Sequence, residues 1–305
     1  MATEQWQPAV PPGSDDRSSA DGPGAGPRSG AGRLRRSERT IPRAPAVLAG
    51  VAVLLFWIVD AVAWRALAPY DPQAVSAERT LQRPSAEHWF GTDDLGRDVF
   101  SRVLAGASSV LTVAPAAALL AVGAGVAVGL VAGYVGGATD EVLMRLIDVL
   151  LAFPLVVGAV LALAVTGVSR LHLVIVIAVV LAPLTARTVR AAVRSERGRE
   201  YVDAARLRGD SGPYIMVAEI LPNVSALVVA EATSRLAAAI FAAATLSFLG
   251  LGIEQPSPDW GLSVALGRVF LQTAPWIVLF PALALATLVV ATTLVADGLR
   301  LRIER

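Results

Sequence analysis

The sequence predicts an all-α polytopic membrane protein with six transmembrane helices. Composition is the first observation: of 305 residues, 55% are hydrophobic and only 17% charged, with a mean hydropathy of +0.61. Soluble domains sit near about 45–50% apolar and about 25% charged. The second is patterning, because apolar runs of spanning length alternate with short charged stretches. The third is where the basic residues fall. All are arginines, and they cluster before the first run and between the fourth and fifth, which by the positive-inside rule puts both clusters in the cytoplasm.

The same composition excludes several classes. A net charge of +1 leaves no electrostatic footprint for nucleic acid. The absence of cysteine excludes disulfides, thiol catalysis and cysteine metal sites. His88 and His172 lie far apart and in no metal-ligand spacing, so no metal site and no catalytic residue is expected.

Residues 1–43 are rich in Pro, Gly, Ser, Asp and Arg and lack apolar periodicity, so they are expected to be a disordered cytoplasmic tail. Residues 44–300 form the membrane domain, and 301–305 a second cytoplasmic tail. The first span covers about 46–67. Ala66-Leu67-Ala68 also reads as a cleavage site, but the long tail ahead of the run favours an uncleaved span. Asp60 belongs near the outer interface or against other helices, since a charge facing lipid is costly.

Residues 68–107 form a polar external segment. Thr92 or Asp93 can cap a short helix. Asp94, Arg97, Asp98 and Arg102 recur at three or four residues and would pair along one face of it. The second span, about 108–133, carries Gly125, Gly129 and Gly133 at four-residue intervals, a flat strip for a close-packed helix. The run is no phosphate loop, because the Lys-Ser/Thr ending is missing. The third span, about 143–165, opens with Arg145 and Asp148 as an i, i+3 pair, and Pro154 should kink it. The fourth, about 171–186, is able to continue as a helix into the stretch that follows.

That stretch, 187–223, is long and charged for a connection between spans. Ala204 and Ala205 are small enough for close approach by another surface. Gly209 permits a turn that other residues resist, and Pro213 suits the first turn of a second helix. Helix, tight turn, helix is the reading: a projection below the bilayer. The fifth span, about 224–246, holds Glu231 and Arg235 at i, i+4. They either form a self-satisfied pair tying helices together or line a polar path. A turn-rich external loop with Trp260 precedes the sixth span, about 274–296. Six spans put both termini on the cytoplasmic side.

In order and spacing these motifs resemble the permease subunits of ABC importers. They look most like the second, C-type permease of the dipeptide, oligopeptide and nickel group. The resemblance covers about residues 45–300. Gly91-Thr92-Asp93 through Arg97-Asp98 and Ser101-Arg102 match the pre-span motif. Gly133-Tyr134 with Gly136-Gly137 and Met144-Arg145 through Asp148 to Pro154 match the next two spans. Ser247 to Gly252, Trp260-Gly261 and Ala274-Pro275-Trp276 match the C-terminal third. Asp203-Ala204-Ala205, then Gly209, then Leu221-Pro222 match the family's Glu-Ala-Ala coupling motif, with Asp203 replacing the commoner glutamate and Arg208 standing where an apolar residue is usual.

The resemblance implies the type I importer permease fold and a coupling segment, Asp203, Ala204, Ala205, Arg206, Gly209, Leu221 and Pro222, seated on an ATPase. It implies a second homologous permease, two ATP-binding subunits (or a fused one) that hold ATP and Mg, and an external substrate-binding protein. This chain, embedded in bacterial cytoplasmic-membrane lipid, would bind no cofactor and catalyse nothing itself. Its substrate would be a short peptide, with nickel or another small solute as the alternative. The residues alone also leave open an ion-gradient-driven transporter and an intramembrane enzyme, though no hydrolase motif supports the second.

Overall fold

The computed structural model describes residues 43–253 and 256–303. The tail expected over 1–43 lies outside them, apart from Arg43. Among the described residues the chain is helical, with one isolated bridge, Thr92 to Asp98. The principal helices are α1 (Arg43–Leu67), α2 (Val99–Val135), α3 (Gly137–Ala152), α4 (Leu155–Thr166), α5 (Arg170–Glu196), α6 (Glu200–Leu207), α7 (Ser225–Leu246), α8 (Trp260–Gly267) and α9 (Trp276–Ile303). Of these, α1, α2, α5, α7 and α9 are each long and apolar enough to cross a membrane. A sixth crossing needs α3 and α4 together, and these meet at 90°.

The central strut is α2. Asp98 caps it, its carboxylate accepting from the Ser101 N–H at 2.8 Å, which satisfies one of the free amides of the first turn. The helix starts nine residues before the expected span. Its 37 residues reach about 55 Å, against the roughly 30 Å of a bilayer core. It packs along α5 through the glycine strip. A methyl group on Gly125 would stand 2.6 Å from Thr185 Cβ, one on Gly129 2.8 Å from Val189 Cβ, and one on Gly133 2.8 Å from Val193 Cβ. The strip is therefore a helix seam, as its spacing predicts. Around α2 runs the main core, with Ala114, Leu163, Ile177, Ile240 and Leu288 buried in it.

At the end where α2 begins, the polar segment 68–98 and the loop before α9 are fastened by tryptophans. Trp260 donates to the Val103 carbonyl at 2.8 Å and Trp276 to the Thr92 carbonyl at 3.1 Å. The charged residues here do not lie on a helical face as expected. Positive φ at Gly91 and Gly96 folds 91–98 into a tight loop, because Asp93 accepts from its neighbours' amides instead. Its Oδ1 takes the N–H groups of Leu95 and Arg97 at 2.9 Å, and its Oδ2 takes Arg97 Nε at 2.7 Å. Arg102 reaches the same carboxylate at 3.7 Å and donates to the Pro72 carbonyl at 3.0 Å. Asp98 meets His88 Nδ1 at 2.9 Å. All are buried. Asp259, which caps α8 and accepts from Ser247, is buried too, and that burial pushes its carboxyl above the ordinary range.

The third span differs most from expectation. Pro154 does more than kink it: the helix stops at Ala152 and restarts at Leu155. A proline cannot donate to the carbonyl four residues back, and its ring clashes with the helix there. Only Asp140 and Ile147 of α3 are buried, leaving an apolar cavity of about 210 Å³ between α2, α3 and α5. Arg145 and Asp148 do not pair with each other. Arg145 pairs with Glu141 at 3.2 Å, while Asp148 reaches Arg187 on α5, and Asp140 takes Arg190. Opposite charges on the neighbouring helix outcompete an i, i+3 contact along α3. Asp60 faces other helices, 1% exposed.

Candidate functional site

The projection between α5 and α7 is built from a short helix, a turn and a ramp. Glu200 and Asp203 in the first turn of α6 and Arg206 in its last complement the helix dipole. The helix ends in a Schellman motif: the Gly209 N–H bonds the Arg206 carbonyl at 3.0 Å and the Asp210 N–H the Ala205 carbonyl at 3.2 Å. That geometry places Gly209 at φ +83°, where a side chain is strained. Beyond the turn the chain is helical over Gly212–Tyr214, widens to a π-helix over Ile215–Ile220, and closes with Leu221–Asn223. The Leu221 N–H bonds the Met216 carbonyl, five residues back. Pro222 has no N–H for the usual ladder, so the bulge sits where the ladder would fail.

A second small core holds the projection. Val202 and Ala205 of α6 and Ile215, Ile220 and Val224 of the ramp bury against Leu130 of α2 and Val189 and Val193 of α5. Each fully buried branched side chain contributes about 1.5–3 kcal/mol. Tyr201 adds a tie, donating to Glu196 at 3.0 Å. Burial and the neighbouring Glu196 carboxylate push its hydroxyl up to about 12.

The outward face carries Asp203, Ala204, Arg206, Leu207, Arg208 and Gly209, all exposed. Leu207 is 90% exposed, and spacing did not single it out. A methyl on Gly209 would meet nothing within 4 Å. Ala205 belongs to the other side. It is fully buried in the small core, so it has no side-chain surface to offer a partner, and the contact face drawn from sequence is redrawn without it. Leu221 packs partly against the same core and Pro222 is exposed.

Charges brace this face. Asp203 takes Arg206 at 2.9 Å, and the Arg206 guanidinium lies 5.6 Å from the Tyr134 ring centre. Arg208 spans the turn, to Asp210 at 2.8 Å and Glu219 at 2.7 Å. These carboxylates, Asp210 first, hold its guanidinium above its ordinary pKa.

Glu231 and Arg235 of α7 do pair, with Arg235 Nη2 2.9 Å from Glu231 Oε2. The same oxygen accepts from Thr185 of α5 at 3.4 Å. Glu231 is 6% exposed. The pair is thus enclosed between α5 and α7, next to the glycine seam, where Gly125 meets Thr185.

A family model described as the binding-protein-dependent transport system inner membrane component matches residues 125–305. The chain is 37% identical over 266 residues to the dipeptide transport system permease protein of Alkalihalophilus pseudofirmus, covering 87% of this chain and 88% of that one. It is 37% identical over 259 residues to the di/tripeptide transport system permease protein of Pseudomonas aeruginosa, covering 83% and 86%. It is 39% identical over 260 residues to the glutathione transport system permease protein of Escherichia coli O157:H7, covering 84% of each.

Proposed function

Since this chain belongs to the binding-protein-dependent transport system inner membrane components, the multi-pass permease subunits of ABC importers, we propose that it forms half of a path for short peptides and is driven through α6. A second, homologous permease supplies the other half. Two cytoplasmic ATPase subunits, which hold ATP and Mg, seat on the outward face of the projection, and an external binding protein delivers the solute. The chain itself catalyses nothing. The peptide assignment is supported by the relatives, whose names specify dipeptides, di/tripeptides and glutathione.

The observation that carries the coupling role is the contrast between the projection's two sides. Its inner side is locked by the small core to α2 and α5, and the ramp continues into α7. Its outer side presents an exposed leucine among charges. A push on α6 therefore moves α5 and α7 rather than bending a loose loop. Arginines 187, 190, 194, 197, 199, 206 and 208 gather at this end, which favours its cytoplasmic placement, and with it that of both termini.

Replacing Gly209 with valine tests the reading. The site has room for the side chain, but positive φ costs a β-branched residue about 1–2 kcal/mol and the turn reshapes. In the assembled complex, peptide uptake per ATP hydrolysed should fall several-fold while the subunit stays in the membrane. Uptake and hydrolysis coupled as in the parent complex would refute the role of α6.

A further inference from the structure

We propose that the apolar groove between α2, α3 and α5 holds an acyl chain of an anionic phospholipid, whose phosphate rests on Arg194 and Arg197. The site goes beyond the permease reading. It rests on the membrane setting and the cytoplasmic placement of the arginine end, and not on what the complex carries. Two observations meet in it: a groove that the chain's own side chains leave open, and positive charge at its mouth that no carboxylate balances.

The groove has a buried floor and an open rim. Gly125 of α2, Ile147 of α3 and Ala178, Pro183 and Ala186 of α5 make the floor. Leu120, Leu150 and Val179 stand at the rim, each close to half exposed. Every lining side chain is apolar. Ala124 and Gly125 of α2 and Ala178, Ala182 and Ala186 of α5 carry at most a methyl group, too little to fill the space under α3. Ion pairs tie α3 to α5 through Asp140–Arg190 and Asp148–Arg187, and beyond the break at Phe153 the chain turns through 90°. An unfilled apolar gap forfeits dispersion contacts, so a flexible hydrocarbon chain gains by entering. From Ala178 to Ala186 α5 rises about 12 Å, which gives such a chain a length to lie along.

Past Ala186, α5 turns basic. Arg187, Arg190, Arg194 and Arg197 follow at steps of three or four residues, which keeps them on one side of the helix. Arg187 and Arg190 face α3, where Asp148 takes the first and Asp140 the second. Arg194, well exposed, only shares the Asp140 carboxylate, at 3.8 Å. Arg197 meets a backbone acceptor, the Val135 carbonyl at 3.4 Å. Glu141 is taken by Arg145, and Glu196 by Arg199 and Tyr201. Arg194 and Arg197 are thus left to receive an anion. The positive-inside rule puts this end in the cytoplasm, and basic pockets between spans on that side suit the headgroups of anionic lipids. A second protein helix would have to bring its own carboxylate to this level. A phospholipid carries the apolar chain and the anion in one molecule.

Photoreactive phosphatidylglycerol, with a diazirine on one acyl chain, tests the site in the assembled transport complex in phosphatidylcholine vesicles. Labelled residues are mapped by mass spectrometry. The label should concentrate on the groove and be displaced by unlabelled phosphatidylglycerol but not by added phosphatidylcholine. It should fall several-fold in the double variant Arg194→Gln, Arg197→Gln. Ala124→Phe, at the exposed rim, should block the groove and lower the label with both arginines intact. In detergent, phosphatidylglycerol should raise the melting temperature of the parent complex and leave that of the double variant unmoved. Equal labelling by a photoreactive phosphatidylcholine would mean ordinary boundary lipid and overturn the proposal. A groove labelled in the isolated chain but not in the assembled complex would be a subunit contact, which overturns it as well. No readout depends on transport, so failure here is distinct from failure of the peptide or coupling reading.

Discussion

The two ends of the molecule use the same charged residue types in opposite ways. At the tryptophan end, Asp93, Arg97, Asp98 and Arg102 are buried and almost every polar atom is committed to a neighbour. At the arginine end, Asp203, Arg206 and Arg208 pair on an open surface. A buried network is all-or-none, because removing one member strands the rest. An exposed one can be remade at small cost. The first arrangement suits a fixed cap and the second a surface that must meet and leave a partner.

Breaking the buried network should have the largest effect. Asp93→Ala leaves Arg97 and Arg102 without their shared carboxylate and frees two backbone amides. Losing one partner of a buried pair costs about 3–5 kcal/mol, enough to unfold a marginal chain. The purified subunit should lose its cooperative thermal transition, or fail to accumulate in the membrane. A melting curve within a degree or two of the parent's would show that the tryptophan end is held by its apolar contacts instead.

Next comes the seam that joins the two ends. Gly129→Val forces a side chain to within 2.8 Å of Val189 Cβ and the Ala186 carbonyl. Overpacking of this kind costs about 1–3 kcal/mol. Destabilisation should appear with coupling intact, whereas Gly209→Val, whose site is open but strained, should lose coupling. The two glycines thus separate packing from signalling. Equal loss of coupling in both variants would erase the distinction between a packed seam and a free turn.

On the exposed side, Arg208→Gln removes the link across the turn. Pairs this exposed contribute little to stability, so the melting temperature should hardly move. Any drop in coupling should be matched by raising salt in the parent complex, since screening weakens surface pairs. A large, salt-independent loss of stability would mean that the projection leans on this brace more than on its small core.

Much of this was legible in the sequence, for reasons that differ by region. The glycine strip and the Glu231–Arg235 pair follow from helical spacing, and both contacts form. The turn at Gly209 follows from one residue's freedom at positive φ. Spacing failed where tertiary partners compete. Asp93 and Asp98 serve a loop rather than a helix face, and Asp148 chooses Arg187 over Arg145. Nor does spacing say which way a small residue points. Ala204 and Ala205 read alike in sequence, yet only the second is enclosed. Val202, three residues before Ala205 on α6 and buried with it, would have revealed it on a helical wheel.

The smallest expected effect lies inside the arginine end and separates its small core from its surface. Tyr201 combines packing with a titratable tie, donating to Glu196 while partly covered. Its hydroxyl is raised from an ordinary 10.0 to about 12, first by burial and then by the Glu196 carboxylate. The folded state therefore favours the protonated phenol. The stability this contributes is fully present below pH 10, where the unfolded chain still holds the proton, and is lost as pH rises through about 12. Tyr201→Phe keeps the ring and deletes the titration. The variant should start slightly less stable at neutral pH and lose less between pH 10 and 12, so the two unfolding curves converge. Parallel curves across that range would place Tyr201 on the surface side of the comparison, with its phenol exposed to water rather than held by α5.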